Sequence, residues 1–119
     1  MNYNQKIGKF GEDLAVKYLH KKGYEIVDLN YRYSNQEIDI IAKIKEKTIF
    51  FEVKTRTSAK MGIAEENIDR RKIKNLKKAL NAYLVYKNID QNDAQIDFLA
   101  IDLDKFNKTA KIKHYRDIT

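Results

Sequence analysis

The sequence predicts a mixed α/β domain in which a hairpin-containing sheet is covered by helices. Three observations predict it. At 119 residues and 43% apolar content, with eight Tyr and five Phe, the chain has room for one domain and one core. Two segments carry apolar side chains at the 3,4-spacing of an amphipathic helix. Between and after them lie short alternating or continuous apolar runs bounded by turn-forming residues. No repeat, low-complexity tract or linker divides the chain, and proline is absent, so residues 1–119 read as a single domain.

The first helix is expected from about Asn4 to Lys22. Ile7, Phe10, Gly11, Leu14, Ala15, Tyr18 and Leu19 form one face, and Lys21-Lys22-Gly23 is a stop: cations at the negative end of the dipole, then a glycine for a left-handed turn. At 100° per residue Asp13 falls opposite that face, whereas Glu12 falls on its border beside Leu19. Tyr24 to Leu29 reads as a strand, followed by a polar connection from Asn30 to Gln36. Glu37 to Ile44 and Ile49 to Thr55 read as two strands joined by a tight turn around Glu46-Lys47. Thr57 to Gly62 reads as a long flexible loop. Asp69 is placed as the N-cap of a second helix, about Arg70 to Tyr86, with Ile73, Leu76, Leu80, Tyr83 and Leu84 on one face. Gln95 to Leu103 and Ala110 to Tyr115 complete the order α-β-β-β-α-β-β.

Several function classes drop out on composition. No apolar run approaches the roughly 20 residues that span a bilayer, and the first ten residues hold no signal-type apolar segment; the expected address is the cytoplasm. The absence of Cys removes disulfides, thiolate metal sites and cysteine nucleophiles, and His20 and His114 are too few for a histidine-rich zinc site. With 24 Lys and Arg against 17 acids, the chain carries +7. A small basic domain suits a polyanion such as nucleic acid, although a surface solvated with Lys gives the same balance.

The placement of acids within this basic background is the informative feature. Along the second strand Ile38, Ile40, Ala42 and Ile44 share one side, leaving Glu37, Asp39, Ile41 and Lys43 on the other; along the third, Phe50, Glu52, Lys54 and Arg56 oppose Ile49, Phe51 and Val53. If Lys45 and Thr48 close the turn, Asp39 lies across from Lys54, Ile41 across from Glu52, and Glu37 across from Arg56. Asp39 and Glu52 are then diagonal neighbours, their β-carbons roughly 7 Å apart. Two carboxylates at that spacing suit Mg²⁺, which takes oxygen ligands and keeps water and substrate phosphate in its shell; Mn²⁺ is the alternative ion. Lys54 projects from the same face, where it can orient a water or offset charge building on phosphorus, and Glu12 can complete the acidic cluster from the first helix. An ordinary solvated hairpin face would carry similar cross-strand pairs, each stabilising by roughly 0.2–1 kcal/mol. Ile41 and Phe50 on that face argue for partial burial, where charges need partners or a ligand.

Asp39, followed thirteen positions later by Glu52-Val53-Lys54, resembles the D…(D/E)xK signature of restriction-endonuclease-like nucleases. More closely, Glu37-Ile38-Asp39-Ile40-Ile41 and Phe51-Glu52-Val53-Lys54-Thr55-Arg56 resemble the two blocks of the YraN family, small bacterial proteins held to be endonucleases and related to archaeal Holliday junction resolvases. The likeness runs nearly end to end and takes in Gly8 with Glu12, Tyr18-Leu19, Gly23, Lys72, Tyr83-Leu84 and Asp97-Phe98. It implies a restriction-endonuclease-like fold with a central mixed sheet and Mg²⁺-dependent hydrolysis of DNA phosphodiesters, selective for branched or junction structures. Asp39 and Glu52 would be metal ligands with Glu12 as the helix-borne acid, and Lys54 the catalytic lysine. Arg32, Arg56 and Lys72 would contact phosphate. A homodimer is the implied assembly, since junction resolvases make two cuts. One departure is Gln36, where the family has glycine.

Two further readings stand beside that of a nuclease: a non-catalytic nucleic-acid-binding module of the same fold, and a protein-interaction domain whose helices dock a partner. Lys72 lies on the flank of its helix's apolar stripe, pointing to the acidic pocket or snorkelling along a buried edge. Arg71, Lys74 and Lys78 face outward as a nucleic-acid track or a solvated face. Tyr31 and Tyr33 flank Arg32, to stack on bases or pack on the core. Asp97 is read as a buried structural acid, and His20 and His114 receive no role.

Overall fold

The computed structural model describes residues 1–57 and 69–119. Helix α1 spans Tyr3–Lys21. Strands β1 (Glu25–Tyr33), β2 (Gln36–Ile44) and β3 (Lys47–Arg56) follow, then helix α2 (Arg70–Lys87), a 3₁₀ turn (Gln91–Asp93), β4 (Ala94–Asp104) and β5 (Thr109–Tyr115). The expected order of helices and strands therefore holds. The loop placed over Thr57–Gly62 lies, from residue 58 onward, outside the described residues.

The strands form one mixed five-stranded sheet in chain order, β1-β2-β3-β4-β5. Only β3 and β4 run parallel, and α2 lies in the connection between them, as a parallel pair requires. The helices cover opposite faces. Ala15 and Leu19 of α1 pack on Ile40, Ala42, Phe51 and Leu99. Leu76, Leu80 and Tyr83 of α2 pack on Ile38, Ile41, Phe50 and Ile96. Because β3 is covered on both sides, Phe50 and Phe51 are both buried, which is why this strand reads as a continuous apolar run.

Local chemistry sets the element ends. Asn2 and Gln5 cap α1 reciprocally at 2.8 and 3.0 Å, and Gly23 leaves the helix at φ +94° as its sequence position indicated. Asp69 caps α2 through the Arg71 N–H, as expected. β1 is longer than the alternation indicated. Asn30, φ 53°, takes the left-handed region that Asn tolerates, and pairing with β2 then resumes through Tyr31↔Ile38 and Arg32↔Glu37. The expected polar connection shrinks to Ser34-Asn35.

The β2–β3 register differs from the one the turn suggested. Ile44↔Lys47 closes a turn in which Lys45 has φ 54°, so Ile41 opposes Phe50 and Ile40 opposes Phe51. Glu37 accordingly pairs with Arg32 of β1 rather than Arg56, and Asp39 moves from Lys54 to Glu52 and Val53. A shift of two residues keeps the side chains of β3, and those of β2 from Ile40 to Ile44, on their faces, where one would have reversed them.

Gly11 brings α1 against β3. A β-carbon there would lie 1.8 Å from Thr55 Oγ1 and 2.7 Å from Thr55 Cβ, so the helix backbone rests directly on the strand. Gly11→Ala is expected to cost about 1–3 kcal/mol, since either the helix or Thr55 must move. Thermal unfolding checks this: adding Thr55→Ala should recover part of the loss, and strictly additive losses would refute the contact. No helix among the described residues is long and apolar enough to cross a membrane.

Candidate functional site

The site forms where β2 separates from β3. Their ladder ends at Ile40↔Phe51, while β3 continues beside β4 to Arg56↔Asp102. Side-chain alternation along β2 breaks at the same point: Ile40 belongs to the cluster under α1 and Ile38 to the one under α2. The expectation that Ile38 and Ile40 share a side is corrected by this break, which faces the left-handed Asn30 of β1. In the gap, Asp39 Oδ2 accepts the Val53 N–H at 2.8 Å, so a carboxylate replaces the missing strand partner.

Glu52 meets Asp39 there. Burial, then the neighbouring Glu52 charge and a carboxyl–carboxyl hydrogen bond, push the Asp39 carboxyl up to about 8, against the lowering effects of the Val53 N–H and Lys72. Two carboxyls so close cannot both ionise cheaply without a cation. Lys72 lies 3.5 Å from Glu52 Oε2 as an ion pair. That oxygen is buried, and among the described residues it is the one buried side-chain oxygen or nitrogen lacking a hydrogen-bond partner. Lys72 thus reaches the acidic pocket, the first of its two sequence readings.

Glu12 approaches from α1. Its carboxylate accepts from Asn30 Nδ2 at 3.1 Å, and the same amide reaches Glu37 at 3.3 Å. Burial raises the Glu12 carboxyl, the Asn30 bond offsets this in part, and the charges of Asp39 and Glu37 raise it further. Glu12 is therefore within electrostatic range of Asp39. The expected convergence of three acids on one ion is not what the described residues form: no three acidic or imidazole groups gather as a ligand set. Asn30 holds Glu12 to the side, and the close pair is Asp39 with Glu52. This pair is chemically suited to Mg²⁺ or Mn²⁺, which need only one or two carboxylates plus water and phosphate.

Lys54 is exposed and lines a cleft with Glu52, Lys72, Ile73, Phe98 and Ile118. Arg32 is exposed beside Glu37 at 3.4 Å. Arg56 is corrected. Its guanidinium is buried against Asp102, with Nε and Nη2 at 3.1 and 3.0 Å from the same carboxylate oxygen, so its charge is spent inside the sheet instead of facing phosphate. Tyr31 packs edge-on against Tyr83, as loop tyrosines ordinarily do, although here it is a strand residue.

Two organising groups were missed. Asn30 carries a recognisable signal, an Asn between apolar strand residues that tolerates positive φ. His114 carried none, because it acts through a contact distant in sequence. Its Nε2 lies 2.7 Å from Asp97 Oδ2, and Tyr18 Oη lies 3.1 Å from Nδ1. Gln95 and the Asp117 N–H also donate to Asp97. Burial raises the Asp97 carboxyl, but these bonds together hold it below the usual range. Asp97 is thus the buried structural acid expected.

A family model described as uncharacterised protein family UPF0102 matches residues 11–101. A UPF0102 protein of Alkaliphilus oremlandii is 40% identical over 111 residues, covering 93% of this chain and 95% of that one. Another, from Caldicellulosiruptor bescii, is 40% identical over 118 residues, with 98% of each chain covered. A crystal structure of an fdxN element excision controlling factor protein from Anabaena variabilis has TM-score 0.41 and 13% identity over 88% of this chain and 97% of that one; a likeness at that level bears on neither fold nor activity. The family model covers both β-strand blocks, and the relatives align along nearly their whole length: the chain belongs to the uncharacterised protein family UPF0102.

Proposed function

We propose that this protein is a divalent-metal-dependent endonuclease of restriction-endonuclease-like type, hydrolysing DNA phosphodiester bonds, with branched or junction DNA as the favoured form. One observation carries the reading: Asp39 and Glu52 are forced together where β2 leaves β3, and the buried Glu52 Oε2 has the Lys72 ammonium at 3.5 Å but no hydrogen-bond partner among the described residues. A structural acid pair would be satisfied by protein groups, as Asp97 is. With both acids ionised, Lys72 alone leaves one negative charge unbalanced, which a hard cation would offset.

Asp39 and Glu52 would hold Mg²⁺ or Mn²⁺. Such an ion polarises phosphoryl oxygens and acidifies bound water. The protein's own groups do the rest. The Val53 N–H fixes Asp39, so the ligand is positioned before substrate arrives. Lys54, exposed two residues along the same strand, offers an ammonium to the non-bridging oxygens or the attacking water. Lys72 offsets the negative charge of Glu52. Glu12, its carboxyl raised by burial, is held by Asn30 within electrostatic range of Asp39 as a proton acceptor.

The surface supports a polyanionic partner. Six of the nine residues from Arg70 to Lys78 are Lys or Arg, and no acid occupies the first turn of α2. Cations at that end oppose the helix dipole, a cost that bound phosphate would remove. The same face favours a second reading, a nucleic-acid-binding module that does not cut.

The test is incubation with supercoiled, linear, single-stranded and four-way-junction DNA in Mg²⁺, Mn²⁺ or chelator. Metal-dependent nicking is expected, fastest on the junction. Salt-sensitive binding without cutting in any metal would overturn hydrolysis and leave the binding module. Salt titration also separates the arginines. Arg32→Ala should lower the slope of log affinity against log salt by about 1. Arg56→Ala should leave the slope unchanged and cost about 2 kcal/mol of stability, because Asp102 loses its partner.

A further inference from the structure

The cleft beside Glu52 has an apolar half that phosphate chemistry does not use. Glu52, Lys54, Asp69 and Lys72 supply its charged lining, and Ile73, Phe98 and Ile118 its apolar lining. Ile118 is held in place. Asp117 turns with φ 51° and donates its N–H to Asp97 Oδ1 at 2.9 Å. The Ile118 N–H then bonds the Ile96 carbonyl at 2.9 Å, and Ile118 packs with the clusters that hold Leu76, Ile96 and Phe98. The anchored Asp97 network thus fixes an apolar wall in the cleft that Glu52 lines.

Resting on the function proposed above, the geometry points to this recess as the seat of an unpaired nucleobase next to the phosphate at the Asp39–Glu52 pair, making the substrate class nucleic acid with a locally unpaired nucleotide. Stacked duplex presents phosphate, sugar and the edges of its bases, and it keeps the apolar base faces from such a wall. A base reaches it only after unstacking, which costs least in a bulge, flap or single strand. Lys54 and Lys72 complement the neighbouring phosphates, while Ile73 and Ile118 meet the apolar faces of such a base.

Fluorescence anisotropy in chelator tests this without turnover, using a fully paired duplex and the same duplex with a one-nucleotide bulge. The bulged form is expected to bind at least about fivefold tighter. Ile118→Trp, which fills the recess, should erase that preference, and Ile118→Val, which keeps an apolar wall, should retain it. Ile73→Trp repeats the test from helix α2 should the first variant unfold. Equal binding of both forms by wild type, or a preference that survives both Trp variants, overturns the inference. Metal-dependent cutting of both forms at one rate would overturn the recess and leave the nuclease reading standing. A bulge preference with no cutting in any metal would uphold the recess and overturn hydrolysis.

Discussion

Asp39→Asn is expected to lower metal-dependent cleavage by at least about 10³-fold, with DNA binding in chelator equal to or tighter than wild type. The isosteric amide keeps the fold: its oxygen can still accept the Val53 N–H now bound at 2.8 Å, and its NH₂ can donate to Glu52. What is lost is one of two anionic ligands. What is removed from the DNA-binding surface is a negative charge, so affinity for phosphate does not fall. Nicking of supercoiled DNA in Mg²⁺ and Mn²⁺, with anisotropy alongside, measures both quantities. Cleavage by the variant at the wild-type rate would take Asp39 out of the chemistry. Loss of binding together with cleavage would make it a structural residue instead.

The contrast between Asp39 and Arg56 shows how far the sequence reaches. Alternation on β3 gave the face of each of its side chains, and a two-residue register shift preserved it, so Glu52 and Lys54 lie on the cleft where the pattern put them, and Lys72, open to two readings on its helix flank, joins them. Partners across strands are another matter. Arg56 is taken by Asp102, its neighbour on parallel β4, and local pattern gives no register for a strand that returns after a helix. The break at Asp39 was equally hidden. It depends on β2 leaving β3 and on the left-handed Asn30, neither of which alters the apolar spacing of β2 itself. Asn30 also accounts for Glu12: the helix face was legible, but the amide that holds its carboxylate aside from Asp39 belongs to another strand.

In the metal-free protein, stability is expected to fall as pH rises from about 4 to about 8, by on the order of 3 kcal/mol once solvent at the strand edge is allowed for. The sign follows from Asp39. Its folded carboxyl lies far above the ordinary carboxylate value, at about 8, because burial and Glu52 disfavour the charge. Below about pH 4 both folded and unfolded chains hold the proton, and nothing is lost. Between that and the folded value the unfolded chain ionises freely while the folded one does not, so unfolding gains; above it the loss is complete and constant. Glu12, also raised, adds in the same direction. Asp97, held low by His114, the Asp117 N–H and Gln95 against its burial, acts oppositely and loses its contribution only as pH falls below the ordinary carboxylate range. Thermal unfolding in chelator at pH 5, 7 and 9 measures the trend, and Asp39→Asn should flatten it. A divalent ion that binds the ionised pair reverses the penalty, so the gain in melting temperature on adding Mg²⁺ should be small at pH 5 and largest at pH 9. An Asn variant with the same pH slope as wild type would mean that the carboxyl pair is relaxed by other groups, and the unbalanced negative charge attributed to the pair would have no energetic counterpart.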